Sequence, residues 1–139
     1  MWITQDAQLT TQDARHTTQM QSYRDLEIYQ MAHKLAVEVH FMSLELPKFE
    51  MHEEGGQIRR SSKAIPANIV EGFGRKRYKQ DYIRFLVYAH SSCEETIEHL
   101  ELLFEVKSLK SKEKFNHFIG EYDKLGRKLN KFIQAVENA

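Results

Sequence analysis

The chain has 139 residues, with 20 Lys or Arg balanced by 20 Asp or Glu, for a formal net charge of zero. That length predicts one domain, large enough to bury a core without covalent staples. The neutral balance argues against binding nucleic acid through overall basicity, so any such role must come from local charge asymmetry.

The single cysteine, Cys93, allows no intramolecular disulfide and no paired-cysteine zinc site. No apolar run approaches the roughly 18 residues of a membrane span. The N-terminus lacks the basic-then-apolar order of a signal peptide. A cytoplasmic protein with no membrane partner is expected.

Residues 1–22 read as a disordered extension. "TQDA" occurs at Thr4–Ala7 and again at Thr11–Ala14. The step is a heptad, but the repeated positions offer no apolar seam. Low hydrophobicity with Thr and Gln enrichment predicts disorder. Met20 is expected to be the natural start, with a short docking arm as the alternative.

Residues 23–139 carry four amphipathic segments. The first is predicted over Asp25–Leu46. Ile28, Met31, Ala32, Leu35, Val39, Met42 and Leu46 recur at steps of three or four, which makes one apolar stripe. Val37, Phe41 and Leu44 lie off that stripe and imply contacts on a second side, with another subunit. Pro47 stops the helix, because its ring disfavours helical geometry in the residue before it. Gly55 and Gly56 in the following connection read as flexible punctuation.

The second segment is predicted over Gln57–Phe73, with Ile58, Ser62, Ile65 and Ile69 inward. The third runs over Lys79–Val106, with Tyr82, Phe85, Leu86, Ala89, Cys93, Leu100 and Leu103 inward. Gly72 and Gly74 fit a helix end and tight turn between the two. The fourth begins after Ser111, a suitable N-cap. Phe115, Phe118, Ile119, Tyr122, Leu125, Leu129, Phe132, Ile133 and Val136 hold its pattern. No segment alternates with period two. The predicted fold is all-α, an antiparallel up-down four-helix bundle.

Pro66 falls inside the second helix, where an unassisted proline costs roughly 3 kcal/mol. Ser61 and Ser62 are placed to turn their hydroxyls onto backbone carbonyls, and a kink would let the helix wrap its neighbour.

"AIPANIVEGFGR" around that proline resembles the "SIPSNIAEGFGR" signature of the 23S ribosomal RNA intervening-sequence proteins. Ile65, Pro66, Asn68, Ile69, Glu71, Gly72, Phe73 and Gly74 match. Two further stretches, "YRDLEIYQMAHKL" from Tyr23 and "DYIRFLVYAHSSCEE" from Asp81, resemble the same family. The chain departs from the family pattern at His90 and Ser91, which stand where Arg and Gly are usual. The resemblance implies a four-helix bundle assembled as a ring of five. It also implies kinship with an accessory protein of diversity-generating retroelements that contacts nucleic acid.

Folding the second and third helices about Lys76 sets Arg59 and Arg60 level with Ser92–Glu95. A cross-helix ion pair from Arg59 or Arg60 to Glu95 is expected. Asn68 and Glu71 lie one turn apart near the hairpin end, where Glu71 is placed to accept from the first amides of the third helix. Arg59, Arg60, Pro66, Asn68, Glu71, Gly72 and Glu95 therefore read as hairpin architecture.

Arg75, Lys76, Arg77 and Lys79 surround Tyr78 at the hairpin tip. Clustered charge beside an aromatic ring suits phosphates and a stacked base. A second basic run, Lys107, Lys110, Lys112 and Lys114, belongs at the opposite pole of an up-down bundle.

Catalysis is not expected. The Glu-x-x-His spacing of di-iron bundles is absent, as is HExxH, and Cys93 sits on the apolar stripe as a structural thiol. No cofactor is expected. The sequence predicts a self-associating bundle that binds RNA or DNA through basic hairpin loops. A protein–protein adaptor ring without nucleic-acid binding is the alternative.

Overall fold

The computed structural model describes residues 22–139. The extension expected over residues 1–22 and the start expected at Met20 fall outside the described residues, save for Ser22. The Ser22 hydroxyl accepts from the Arg24 amide and opens a 3-10 turn, Tyr23–Asp25.

Four helices follow: α1 (Glu27–Leu44), α2 (Glu54–Gly74), α3 (Lys79–Glu105) and α4 (Lys112–Glu137). A second 3-10 turn, Lys48–Glu50, joins α1 to α2. Each helix packs on the next, α1 closes onto α4, and the backbones of diagonally placed helices stay more than 8 Å apart at Cα. This is the neighbour pattern of an antiparallel four-helix bundle, as the sequence predicts. Among the described residues there is no strand, and no helix is long and apolar enough to cross a membrane.

The four stripes meet in one interior. Ile28, Leu35 and Val39 from α1 face Ile58, Ile65 and Ile69 from α2, with Leu86 and Leu100 from α3 and Leu125 and Leu129 from α4. Burying each such side chain contributes about 1.5–3 kcal/mol. Met31, Leu46, Ile119 and Phe115 sit at the edge of this core, half-buried. Phe115 stacks on Phe104 with ring centroids 4.2 Å apart, tying α4 to α3. Ser111 caps α4 by accepting from the Lys114 amide at 3.1 Å.

One charged residue lies in this interior unannounced by the apolar stripe. Lys128 is buried, and its Nζ sits 2.8 Å from Glu27 Oε2. The pair clamps α4 to the first turn of α1.

Gly55 and Gly56 are not a flexible connection. Both lie in the first turn of α2, which begins three residues earlier than the sequence pattern indicates. A Cβ on Gly55 would stand 2.4 Å from the Glu50 carbonyl oxygen. Glycine is there because the 3-10 turn folds back onto the helix start.

Helix α2 runs unbroken through Pro66. The Ser62 hydroxyl donates to the Arg59 carbonyl at 3.2 Å, and Ser61 Oγ lies 3.4 Å from the Ile58 carbonyl oxygen. Asn68 adds a side-chain amide donated to the Ala64 carbonyl at 2.9 Å. These side-chain bonds fall on the carbonyls of Ile58, Arg59 and Ala64, on both sides of Pro66.

Candidate nucleic-acid interface at the α2–α3 tip

The tip is a tight link between two long helices. The Arg75 amide donates to Gly72 O at 2.9 Å, Lys76 to Phe73 O at 3.1 Å, and Tyr78 to Arg75 O at 2.8 Å. No glycine among the described residues has positive φ, so α2 ends without the left-handed glycine its sequence suggested. Gly72 serves a different need. Its added Cβ would meet Phe85 Cβ at 3.1 Å and the Tyr82 carbonyl oxygen at 3.3 Å. The missing side chain lets α3 approach α2 closely. Gly74 faces open space.

Gly72 lies opposite Phe85, and Ser61 Oγ lies 2.8 Å from Thr96 Oγ1. The hairpin midpoint therefore falls between Tyr78 and Lys79, not at Lys76. That shift overturns the expected pairing of Arg59 or Arg60 with Glu95. Arg59 points instead toward α1 and the 3-10 turn, donating to Ser43 Oγ at 2.9 Å and to the Met51 carbonyl. Arg60 bonds Gln57 on its own helix. Glu95 pairs with His99 Nε2 at 3.2 Å, while His99 Nδ1 lies 2.6 Å from Glu54 Oε1. The cross-helix tie at this level is thus His99 to Glu54.

Glu71 also departs from expectation. It does not cap α3; it pairs with Arg75 at 3.2 Å along its own helix. Both side chains are exposed, and such a pair contributes little. The Pro66 ring lies on the outer surface with Val37, Phe41 and Lys63, lining an apolar groove of about 390 Å³ between α1 and α2.

The five residues of the predicted basic cluster come together at the tip. The Lys76 ammonium sits 4.0 Å from the Phe73 ring centroid. The Arg75 guanidinium sits 4.8 Å from that of Phe85. Both are cation–π placements that hold charge at fixed positions without neutralising it. Lys79 Nζ donates to the Ala139 carbonyl at 3.1 Å, which brings the end of the chain to the same pole. Arg77 and Tyr78 are exposed. Gly74, Lys76, Arg77 and Tyr78 line an open concavity of about 520 Å³.

Arg84 joins the tip from outside the predicted cluster. Its guanidinium lies 5.4 Å from the Phe85 centroid and pairs with Asp81 at 3.0 Å. The available signal was its position one turn beyond Asp81, on the flank of α3. The other basic run sits at the opposite pole, where Lys114 Nζ lies 2.6 Å from Glu45 Oε1 at the end of α1.

Among the described residues, no three His, Cys, Asp or Glu gather where a metal ion would be held. The Cys93 thiol donates to the Tyr122 carbonyl at 3.2 Å. Burial pushes its pKa up to about 12, and the charges of Glu94 and Asp123 add to the effect.

The fold defines an all-α protein, an antiparallel four-helix bundle whose α2–α3 hairpin carries a basic, tyrosine-bearing tip. The chain belongs to the family of the 23S rRNA-intervening sequence protein, whose model matches residues 24–131. Comparison with curated proteins finds no match.

Proposed function

We propose that the protein is a self-associating, non-catalytic helical bundle that binds RNA or DNA through the tip formed by Arg75, Lys76, Arg77, Tyr78 and Lys79. The observation that carries this reading is the gathering of four cations around an exposed tyrosine at one helix-hairpin tip, where Lys76, Arg77 and Tyr78 line an open concavity. Family membership agrees with an association with ribosomal RNA genes. The protein works in the cytoplasm and needs no cofactor.

Self-association is supported by the outer face of α1, where Val37, Phe41 and Leu44 are 45%, 63% and 48% exposed. Apolar residues grouped in this way mark contact surfaces. Closure into a ring, five copies by the family resemblance, multiplies the tip and raises avidity without strengthening any one site.

The test is a titration of a labelled structured RNA at two salt concentrations, with light scattering to follow assembly. Binding is expected to weaken steeply with salt. Joint replacement of Arg75, Lys76, Arg77 and Lys79 by Ala is expected to abolish binding and leave the oligomer intact. Absence of wild-type binding at low salt, with the oligomer present, overturns the reading. It then favours the second one, an adaptor ring that meets another protein through the groove lined by Val37, Phe41 and Pro66.

A further inference from the structure

Each apolar aromatic ring at the tip carries a cation: Phe73 faces Lys76 and Phe85 faces Arg75. Tyr78 does not. The residue is 62% exposed, and its ring makes no aromatic or cation contact among the described residues. The neighbouring Arg77 guanidinium likewise makes no hydrogen bond or ion pair there. Tyr78 holds extended backbone, φ −108° and ψ 102°, immediately before the first turn of α3. A flat apolar face and a free planar cation are therefore adjacent on the rim of one concavity.

We propose that the tip selects unpaired nucleotides over duplex, with a base stacked on Tyr78 and a flanking phosphate met by Arg77. This rests on the reading of the tip as a nucleic-acid interface. In a duplex the base faces are occupied by their neighbours, and only edges are offered in the grooves. Two helices side by side measure roughly 20 Å across, too broad for a major groove of about 12 Å. A duplex would meet the cations alone. Charge by itself favours the duplex, which carries about one phosphate per 1.7 Å of axis. An unpaired strand compensates by exposing a base to the open ring, and such stacking tolerates any base.

The experiment measures anisotropy at low salt with the full chain. The probes are a short labelled oligouridylate, an oligothymidylate and a duplex of equal length. The proteins are wild type, Tyr78→Ala and Tyr78→Phe, with circular dichroism to check helicity. Either single strand is expected to bind wild type more tightly than the duplex. Tyr78→Ala is expected to weaken single-strand binding by about tenfold and leave duplex binding unchanged. Tyr78→Phe is expected to retain the preference, since the ring and not the hydroxyl supplies the face. Equal or tighter duplex binding by wild type overturns the inference and leaves the basic tip standing. A single-strand preference that survives in Tyr78→Ala does the same. Failure of every probe to bind at low salt overturns both.

Discussion

The buried carboxylate of Glu50 accepts a hydrogen bond from the Ser108 hydroxyl at 2.6 Å, joining two loops 58 residues apart in the chain. Its other oxygen accepts from the Glu54 amide at 3.2 Å and caps the start of α2. One side chain thus fastens the lower pole of the bundle. Ser108→Ala removes a donor and leaves a buried acceptor short of a partner, which costs about 1–3 kcal/mol. Urea denaturation is expected to show a lower midpoint with an unchanged slope.

Two glycines in helices respond to alanine with opposite signs. Gly55→Ala forces a Cβ onto the Glu50 carbonyl, and overpacking of this kind costs about 1–3 kcal/mol. Gly120 is exposed within α4, and an added Cβ there meets nothing within 4 Å. Gly120→Ala is expected to stabilise by about 1 kcal/mol through helix propensity. Parallel thermal melts check the pair.

Cys93 makes stability fall in alkali. Its thiol is neutral in the fold, with a pKa raised from an ordinary value of 9.0 to about 12. The unfolded chain therefore releases this proton first, and unfolding is favoured as pH rises. This contribution is fully present below pH 9 and is lost between there and about pH 12, so a Cys93→Ala variant is expected to show a smaller fall. Tyr122, whose hydroxyl is also raised by burial, contributes in the upper part of the same window. Thiol labelling at pH 8 is expected to be slow in buffer and fast in denaturant.

Among the described residues the Arg77 guanidinium makes no hydrogen bond or ion pair, whereas Arg75 is shared with Glu71. Arg77→Ala is expected to lower the salt slope of binding by about one, the signature of a lost phosphate contact. Glu71→Gln frees Arg75 and is expected to strengthen binding slightly. A titration at several salt concentrations reads both.

Helix positions were legible because apolar spacing at three and four residues is a local property. Ile58, Ser62, Ile65 and Ile69 were placed inward and are all fully buried. Misplaced features share one cause. Gly55 looked like a linker because the sequence does not display the Glu50 carbonyl that excludes a side chain there. The burial of Lys128 has no local signal, because its partner, Glu27, lies 101 residues away in the chain. The Arg59–Glu95 pairing failed because the hairpin midpoint sits between Tyr78 and Lys79 instead of at Lys76, and Arg59 turns toward Ser43.

Sequence by itself determined the four helices, their antiparallel order and the concentration of cations in the α2–α3 turn. These follow from periodicity, breakers and composition, each read within a few residues of itself. Tertiary structure decided the hairpin register, the partners of buried charges and which tip groups stay open. Those depend on distances across helices, where the packing of Gly72 against Phe85 fixes a register that no local pattern encodes.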